Sequence, residues 1–151
     1  MDDTRDFDLA RFTPFRLARI AEHLGSEVSA VYRARHGIGR AEWRVLAHLG
    51  ANGANTARDL QGLTAMDKVK VSRAVAALEA RGWLRRRLDE TDRRISHLTL
   101  TEQGQAVFAG LAPAMLRAEA RAIDGLDGAQ KARLGEMLDD LERIFGLDAK
   151  L

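Results

Sequence analysis

The most informative stretch of the chain is residues 67–100, DKVKVSRAVAALEARGWLRRRLDETDRRISHLTL. In its first half, Val71, Val75 and Leu78 recur at the spacing of one helix face. Gly82 then ends the helix, as glycine commonly does. Beyond it the helical period is lost, and two segments with apolar and β-branched residues flank the charged tip DETDRR. This pattern predicts a helix followed directly by a β-hairpin.

Three more helices are predicted upstream of this stretch. The first covers residues 13–36, with Thr13 as its expected N-cap and a proline directly after it. The second begins near residue 40 and ends near residue 50, and the third is short, with Thr56 as its N-cap. Residues 1–12 are polar and without a period, so we expect a flexible arm there.

Two further helices are predicted downstream, where Thr101 and Asp127 are the expected N-caps. The chain has 151 residues, 46% of them hydrophobic, which suits one globular domain with a real core. The predicted fold class is therefore mainly α with a small β-hairpin, the hairpin forming the wing of a winged helix-turn-helix lobe beside a helical region.

Positive charge is concentrated in the centre of the chain. Residues 67–97 contain nine Lys and Arg against five Asp and Glu, a net charge of +4 in a chain whose total is +2. A local basic surface of this kind suits a polyanionic partner. A solvated charged face is the alternative explanation if charge is considered alone.

The composition argues against several classes of function. The chain has no cysteine, which excludes disulfides, thiolate metal sites and a cysteine nucleophile. Its four histidines lack metal-ligand spacing and it has neither a phosphate-binding loop nor an HExxH motif, so we expect no enzyme, metal or cofactor. No apolar run approaches the roughly 18 residues of a membrane span, and the N-terminus does not resemble a secretory signal. We therefore expect a cytoplasmic protein without a membrane partner.

The order of the elements favours recognition of double-stranded DNA. The major groove admits one helix, whose N-terminal residues reach the base edges. A basic hairpin tip suits the minor groove, and Asp92 is expected to orient a neighbouring guanidinium. A plain surface helix and an ordinary charged turn remain the alternatives for each element taken separately. The predicted DNA-binding residues are Lys68, Lys70, Ser72, Arg73, Arg86, Arg87, Asp92, Arg93 and Arg94.

The segment from Trp43 to Gly104 resembles the MarR family of regulators, named for multiple antibiotic resistance. The matching strings are WRVL (43–46), VSR (71–73), LEARGWL (78–84), DETDRR (89–94) and LTLTEQG (98–104). Trp83 departs from the family, which usually has a smaller aliphatic residue there. Ser72 stands where threonine is common, and the hydroxyl is retained.

This resemblance implies a homodimer that binds a palindromic operator. The dimerisation helices are then residues 13–36 and 102–147, the winged helix-turn-helix is residues 40–100, and the flexible arm is residues 1–12. The residues support a dimer independently, because the first and last helices carry more apolar surface than a thin lobe can bury. An intramolecular core is the alternative. The apolar residues concerned include Phe12, Phe15, Ile144, Phe145 and Leu147.

The strings FTPFRL (12–17), YR (32–33) and AEWRV (41–45) are similar to a subgroup that controls the catabolism of aromatic acids. This similarity implies a small-molecule effector, either an aromatic acid or an aryl-CoA thioester, that releases a repressor from DNA. The predicted effector-binding residues are Arg16, Arg19, His23, Trp43, His48 and Met66.

The three residues of the first helix lie one turn apart and suit a carboxylate or phosphate, while Trp43 and His48 suit an aromatic slot with Met66 at its floor. A core tryptophan, satisfied histidines and solvated arginines are the alternatives. For the whole chain, the alternative function is a winged-helix protein-interaction module without DNA binding, which has no need of Arg93 and Arg94.

Overall fold

The computed structural model describes residues 7–53 and 55–147 of the chain. Within these residues six helices surround a three-stranded sheet, which confirms the predicted fold class, and no helix among them is long and apolar enough to cross a membrane. In chain order the elements are α1 (Thr13–His36), α2 (Arg40–Asn52), β1 (Asn55–Thr56), α3 (Ala57–Thr64), α4 (Lys68–Ala80), β2 (Leu84–Leu88), β3 (Ser96–Leu100), α5 (Glu102–Ala122) and α6 (Gly128–Ile144).

Side-chain caps set the start of most helices. The Thr56 hydroxyl accepts a hydrogen bond from the Asp59 amide at 3.1 Å, and the Asp59 carboxylate accepts one from the Thr56 amide at 3.0 Å. At the start of α5 the Thr101 hydroxyl accepts a hydrogen bond from the Gly104 amide, and at the start of α6 Asp127 forms a reciprocal pair with Gln130. The predicted caps at Thr56, Thr101 and Asp127 are thus confirmed, and each satisfies an amide that the helix itself leaves without a partner.

The start of α1 differs from the prediction. Phe12 occupies the N-cap position without a side-chain hydrogen bond, and Thr13 is already helical, so the predicted cap at Thr13 is wrong by one residue. The reason lies in the preceding turn, where the Phe12 amide donates to the Leu9 carbonyl at 3.2 Å. Because of this turn, the helix begins one residue earlier than predicted. Residues 7–12 of the expected arm form this turn, whereas residues 1–6 lie outside the described residues.

The sheet has the strand order β1-β3-β2 and is antiparallel throughout. The predicted hairpin is confirmed as β2 and β3, with Arg86 opposite Leu98 and Arg85 opposite Thr99. The sequence did not reveal β1, because two residues are too few to show a period. β1 pairs with β3 at His97 and Leu98 and leads directly into α3.

The buried core lies between α2, α3, α4 and the sheet. The predicted apolar face of α4 is confirmed, since Val71, Val75 and Leu78 are all buried. α1 and α5 reach this core with Tyr32 and Leu111. α6 in contrast has no buried residue in the single chain. The largest fully buried side chains are Tyr32, Ile38, Leu46, Leu49, Leu60, Leu78, Leu98 and Leu111.

Candidate nucleic-acid interface

A tight turn between α3 and α4 holds the two helices in the helix-turn-helix arrangement. Ala65 adopts a left-handed conformation with φ of 51°, and the next side chain, Met66, is buried in the core. The Arg44 guanidinium of α2 donates to the Thr64 carbonyl at 3.2 Å, which gives a partner to a carbonyl at the open end of α3. These contacts fix the direction in which α4 leaves the turn.

The start of α4 presents polar and cationic side chains to solvent. Asp67 caps the helix by accepting a hydrogen bond from the Lys70 amide at 2.9 Å, and this bond lowers the pKa of Asp67. The Lys70 ammonium lies 3.5 Å from the same carboxylate. Because the apolar face points inward, the predicted DNA-binding residues of α4 are all exposed on the other faces, as expected. They are Lys68, Lys70, Ser72 and Arg73.

The wing tip is ordered by one carboxylate. Asp89 accepts hydrogen bonds from the Thr91 amide at 2.8 Å, the Thr91 hydroxyl at 2.6 Å and the Asp92 amide at 3.0 Å. The Nε2 atom of His97 lies 2.9 Å from the other oxygen of Asp89. The hydrogen bonds from Thr91 and His97 hold the pKa of Asp89 well below its usual range. Asp89, which the sequence analysis did not single out, therefore preforms the turn that carries the arginines.

Asp92 orients Arg94, as predicted. Its two oxygens accept hydrogen bonds from Nε and Nη2 of Arg94 at 3.0 and 3.1 Å, a bidentate geometry that lowers the pKa of Asp92. The Arg94 side chain is nevertheless 91% exposed. Arg93 is exposed beside it. The tip thus displays two exposed guanidinium groups, and Asp92 orients that of Arg94.

The three arginines of β2 have different surroundings. Arg86 faces the same side of the sheet as the buried Leu98, and its Nε lies 2.9 Å from a carboxylate oxygen of Glu79 on α4. Arg85 and Arg87 lie on the opposite face. Arg86 therefore joins the wing to α4, while Arg87 is on the outer face together with Arg85. Alternation along the strand would have identified Arg85, which the sequence analysis omitted.

Two adjoining cavities lie along α1, and we name them by their lining. The cationic cavity, about 1220 Å³, lies between α1 and the turn from α5 to α6. It brings together Arg16, Arg19 and His23, as the one-turn spacing predicted, and adds Arg121 from α5. The sequence could not supply Arg121, which lies about 100 residues away in the chain and meets the others only through the fold.

The aromatic cavity, about 490 Å³, has Trp43, Phe108 and Met115 in its wall. The Trp43 ring lies 5.7 Å from the Tyr32 ring and 6.5 Å from the Phe108 ring, stacked on both. The cavity shares Leu24, Ile123 and Leu134 with the cationic cavity. An apolar aromatic slot therefore opens beside a cluster of cations.

His48 and Met66 line neither of these two cavities. His48 follows Trp43 by five positions, which turns it about 140° around the helix and away from the slot. Burial lowers the pKa of His48, with a smaller opposing effect of the Leu63 backbone. Met66 packs in the core at the helix-turn-helix turn. Within the described residues, no group of three or more His, Asp or Glu side chains is placed to hold a metal ion.

Comparisons with known proteins agree with this geometry. The sequence pattern of the MarR family matches residues 36–95. A MarR family transcriptional regulator from Silicibacter pomeroyi has a similar structure, with 28% identity, a TM-score of 0.80 and coverage of 93% of this chain and 99% of that one. No curated protein matches the sequence.

Two similar structures at lower identity share the fold. BpsR of Bordetella bronchiseptica, in a structure that addresses regulation of its DNA binding by 6-hydroxynicotinic acid, is 23% identical, with a TM-score of 0.81 over 95% of this chain and 99% of that one. CouR of Rhodococcus jostii, bound to p-coumaroyl-CoA, is 22% identical, with a TM-score of 0.78 over 91% of this chain and 94% of that one. Residues 36–95, which include the helix-turn-helix and the first strand and tip of the wing, match the sequence pattern of the MarR family, and the described chain has the fold of solved MarR family transcriptional regulators.

Proposed function

We propose that the chain is a homodimeric, sequence-specific DNA-binding repressor that a small aromatic ligand releases from a palindromic operator. The observation that carries this proposal is the wing tip, where Asp89 and Asp92 form a hydrogen-bonded turn that displays Arg93 and Arg94 and orients Arg94. A guanidinium held in place before binding loses little conformational freedom when it enters a groove.

On DNA, the start of α4 enters the major groove and the wing tip approaches the minor groove. Ser72 and Arg73 are exposed on α4 and have the donors that base edges and phosphates require. Arg87 and Arg85, on the outer face of β2, are suited to phosphates along the wing. Arg86 serves the same interface indirectly, because its bond to Glu79 sets the angle between wing and α4.

The dimer is supported by α6. This helix has an apolar face but no buried residue in the single chain, which is unusual for a regular amphipathic helix. A second copy that packs α1, α5 and α6 against their counterparts would cover this face, so that residues 13–36 and 102–147 form the dimerisation region. The exposed apolar residues that such a dimer would cover include Phe15, Ile20, Leu116, Met137, Leu138, Ile144 and Phe145.

A two-fold symmetric dimer presents its two lobes to two half-sites of a palindrome, about one helical turn apart. This geometry supplies sequence specificity that a single lobe lacks, because both recognition helices must fit together. Each of the two chains then contributes its basic segment, residues 67–97 with a net charge of +4, to one operator.

The two adjoining cavities support an effector with an aromatic part and an anionic part. The aromatic cavity suits a ring stacked near Trp43 and Phe108, and the cationic cavity suits a carboxylate or phosphates near Arg16, Arg19 and Arg121. Two of the similar structures concern ligands of this kind: one addresses 6-hydroxynicotinic acid and the other is bound to p-coumaroyl-CoA. Each of these compounds combines an aromatic ring with an acidic group.

Release from DNA requires only that the effector bind better to a lobe arrangement that does not fit the operator. The cavities lie between α1, α5 and α6, so a ligand there changes how the lobes are held. A coupling of about 1–3 kcal/mol weakens operator binding by roughly 5–150-fold.

The DNA-binding proposal is tested by fluorescence anisotropy of the protein on its own upstream intergenic DNA at two salt concentrations. The wild type is expected to bind tightly and to weaken as salt rises, because phosphate contacts release counterions. Charge reversal at Arg93→Glu and Arg94→Glu should abolish specific binding and reduce the salt slope. Reversal of two exposed arginines on α1 and α5, Arg33→Glu and Arg117→Glu, is the control for net charge, with sedimentation velocity to show that its oligomeric state matches that of the wild type.

A protein-interaction module would be favoured instead by either of two results. The wild type does not bind DNA at either salt concentration, or the wing double variant binds as well as the control. The effector proposal is tested on the same complex with p-coumaroyl-CoA, p-coumarate and 6-hydroxynicotinate. At least one compound should weaken binding, and Arg121→Ala should reduce that response. Operator affinity that is unchanged across the whole panel would contradict the effector proposal and leave the DNA-binding proposal intact.

A further inference from the structure

The C-terminal end of α4, the proposed recognition helix, is hydrogen-bonded to the C-terminal end of α1. Arg81, the C-cap of α4, donates from Nη1 to the His36 carbonyl at 2.9 Å and from Nη2 to the Gly37 carbonyl at 3.4 Å. His36 ends α1, and Gly37 closes it in a left-handed conformation with φ of 63°. Carbonyls at a helix C-terminus lack partners within the helix and lie at the negative end of its dipole, so they favour a guanidinium.

Trp83 completes this contact. The Arg81 guanidinium lies 4.9 Å from the centre of the Trp83 ring, and the His36 ring meets the same ring edge-on at 5.5 Å. Trp83 is buried and fixed at the base of the wing, since its amide donates to the Leu78 carbonyl and its carbonyl accepts from the Thr101 amide, both at 3.0 Å. A leucine at this position would offer no ring face to either side chain.

From this geometry we infer that Arg81, seated on Trp83, is a positioning residue that sets the angle between α1 and the DNA-reading lobe, and so the half-site spacing that the dimer accepts. The inference rests on the proposed function. α1 belongs to the dimerisation region, while α4 and the wing belong to the lobe, so rotation at this joint moves the two recognition helices relative to each other. Tyr32 and Ile38 anchor the same end of α1 in the core, so the lobe stays attached without Arg81.

The first test measures spacing discrimination. An operator is selected from random-sequence DNA with the wild type, and its central spacer is then changed by one and two base pairs, each base pair turning one half-site by about a tenth of a turn. The wild type should lose much affinity with each step. Arg81→Ala should bind the best operator about fivefold more weakly, the net worth of one ordinary hydrogen bond, and should discriminate poorly between spacers.

Three variants distinguish the contact of Arg81 with α1 and Trp83 from the general effect of losing an arginine side chain. Arg35→Ala is the matched control, because Arg35 also lies in the last turn of α1 and donates to a backbone carbonyl, that of Gly110 on α5, at 3.2 Å. It should keep full spacing discrimination. Arg81→Lys keeps the charge without the two-pronged geometry and should restore discrimination in part. Trp83→Leu should resemble Arg81→Ala, and circular dichroism checks that each variant is folded.

The second test needs no DNA. Since the chain has no cysteine, Ser72→Cys allows one spin label to be attached to α4 of each chain. Electron spin resonance then gives the distribution of distances between the two labels. The wild type should give a narrow distribution that Arg81→Ala broadens and Arg35→Ala leaves narrow. A narrow distribution and intact spacer discrimination in Arg81→Ala would overturn this inference alone. The absence of any interspin distance in the wild type would overturn it together with the proposed dimer.

Discussion

The winged lobe and the C-terminal helix differ in how much apolar surface a single chain buries. In the lobe, Leu46, Leu60 and Leu98 are 0% exposed. In α6, Met137 is 58% and Leu138 is 45% exposed. Both regions consist of regular, capped elements, so local propensity does not explain the difference.

This contrast separates what one chain completes from what we propose that two chains complete. The lobe has its own core, so it presents α4 and the wing in a fixed arrangement. α6 contributes an apolar face that the described residues leave largely exposed, and most of its stability should therefore come from a partner. Substitutions in the two regions should therefore have different consequences, one for folding and the other for assembly.

The largest expected effect is on assembly. Met137→Glu places a charge in the proposed interface, where an uncompensated buried charge costs about 3–5 kcal/mol. Sedimentation velocity should then show monomers with a folded lobe. Ala132→Glu, about 140° away around α6, adds the same charge on the other side of the helix and should leave the dimer intact. If the Met137→Glu protein sediments as the wild type does, α6 is not part of a dimer interface, and the proposed distinction between folding in the lobe and assembly through α6 is wrong.

A core substitution in the lobe should act on folding instead. Leu46→Ala creates a cavity at a fully buried position and should lower the free energy of unfolding by about 2–5 kcal/mol. Leu46→Met conserves the volume and should cost less than about 1.5 kcal/mol. Urea unfolding followed by circular dichroism measures both. Equal stability of the alanine variant and the wild type would mean that the lobe does not depend on this core.

A smaller effect is expected at the cap of α3. Thr56→Ala removes the hydroxyl that accepts from the Asp59 amide and should cost about 1 kcal/mol of unfolding free energy. Thr56→Ser retains the hydroxyl and serves as the control. The urea midpoint should fall for alanine alone, with no change in sedimentation. A shift in the oligomeric state would show that lobe and dimer region are not separable in this way.

The smallest effect concerns pH. Because burial lowers the pKa of His48, the unfolded chain binds a proton at this residue more readily than the folded chain does. The stability that depends on neutral His48 is complete above the unfolded value of about 6.5 and decreases as pH falls below it. Thermal unfolding at pH 7.5 and 5.0 should show a larger loss for the wild type than for His48→Gln. Equal losses would contradict the assignment.

Features that depend on short-range spacing could be predicted from the sequence. The caps at Thr56, Thr101 and Asp127, the buried stripe of α4 and the hairpin all follow from residues within a few positions of one another. Thr13 shows the limit of this approach, since a preceding turn moved the cap to Phe12.

The parts that could not be predicted depend on pairing or on tertiary approach. The register of β2 against β3 places Arg86 opposite Leu98 and beside Glu79 of α4, which a run of three arginines does not reveal. Arg121 joins Arg16 and Arg19 only because α5 packs along α1. His48 was grouped with Trp43 by proximity in sequence, although the helix turns it away. Residue type identified the candidate chemistry, and the fold decided which residues share a site.

The central claim is that two winged lobes, joined through α1, α5 and α6, read one palindrome together. The most direct test compares the affinity of the wild type for the full selected palindrome and for a single half-site at one salt concentration, with the stoichiometry of each complex. We predict two chains per palindrome and binding about 10²–10⁴-fold tighter than to the half-site, as expected for two linked contacts. One chain per duplex with equal affinity for both DNAs would contradict the account.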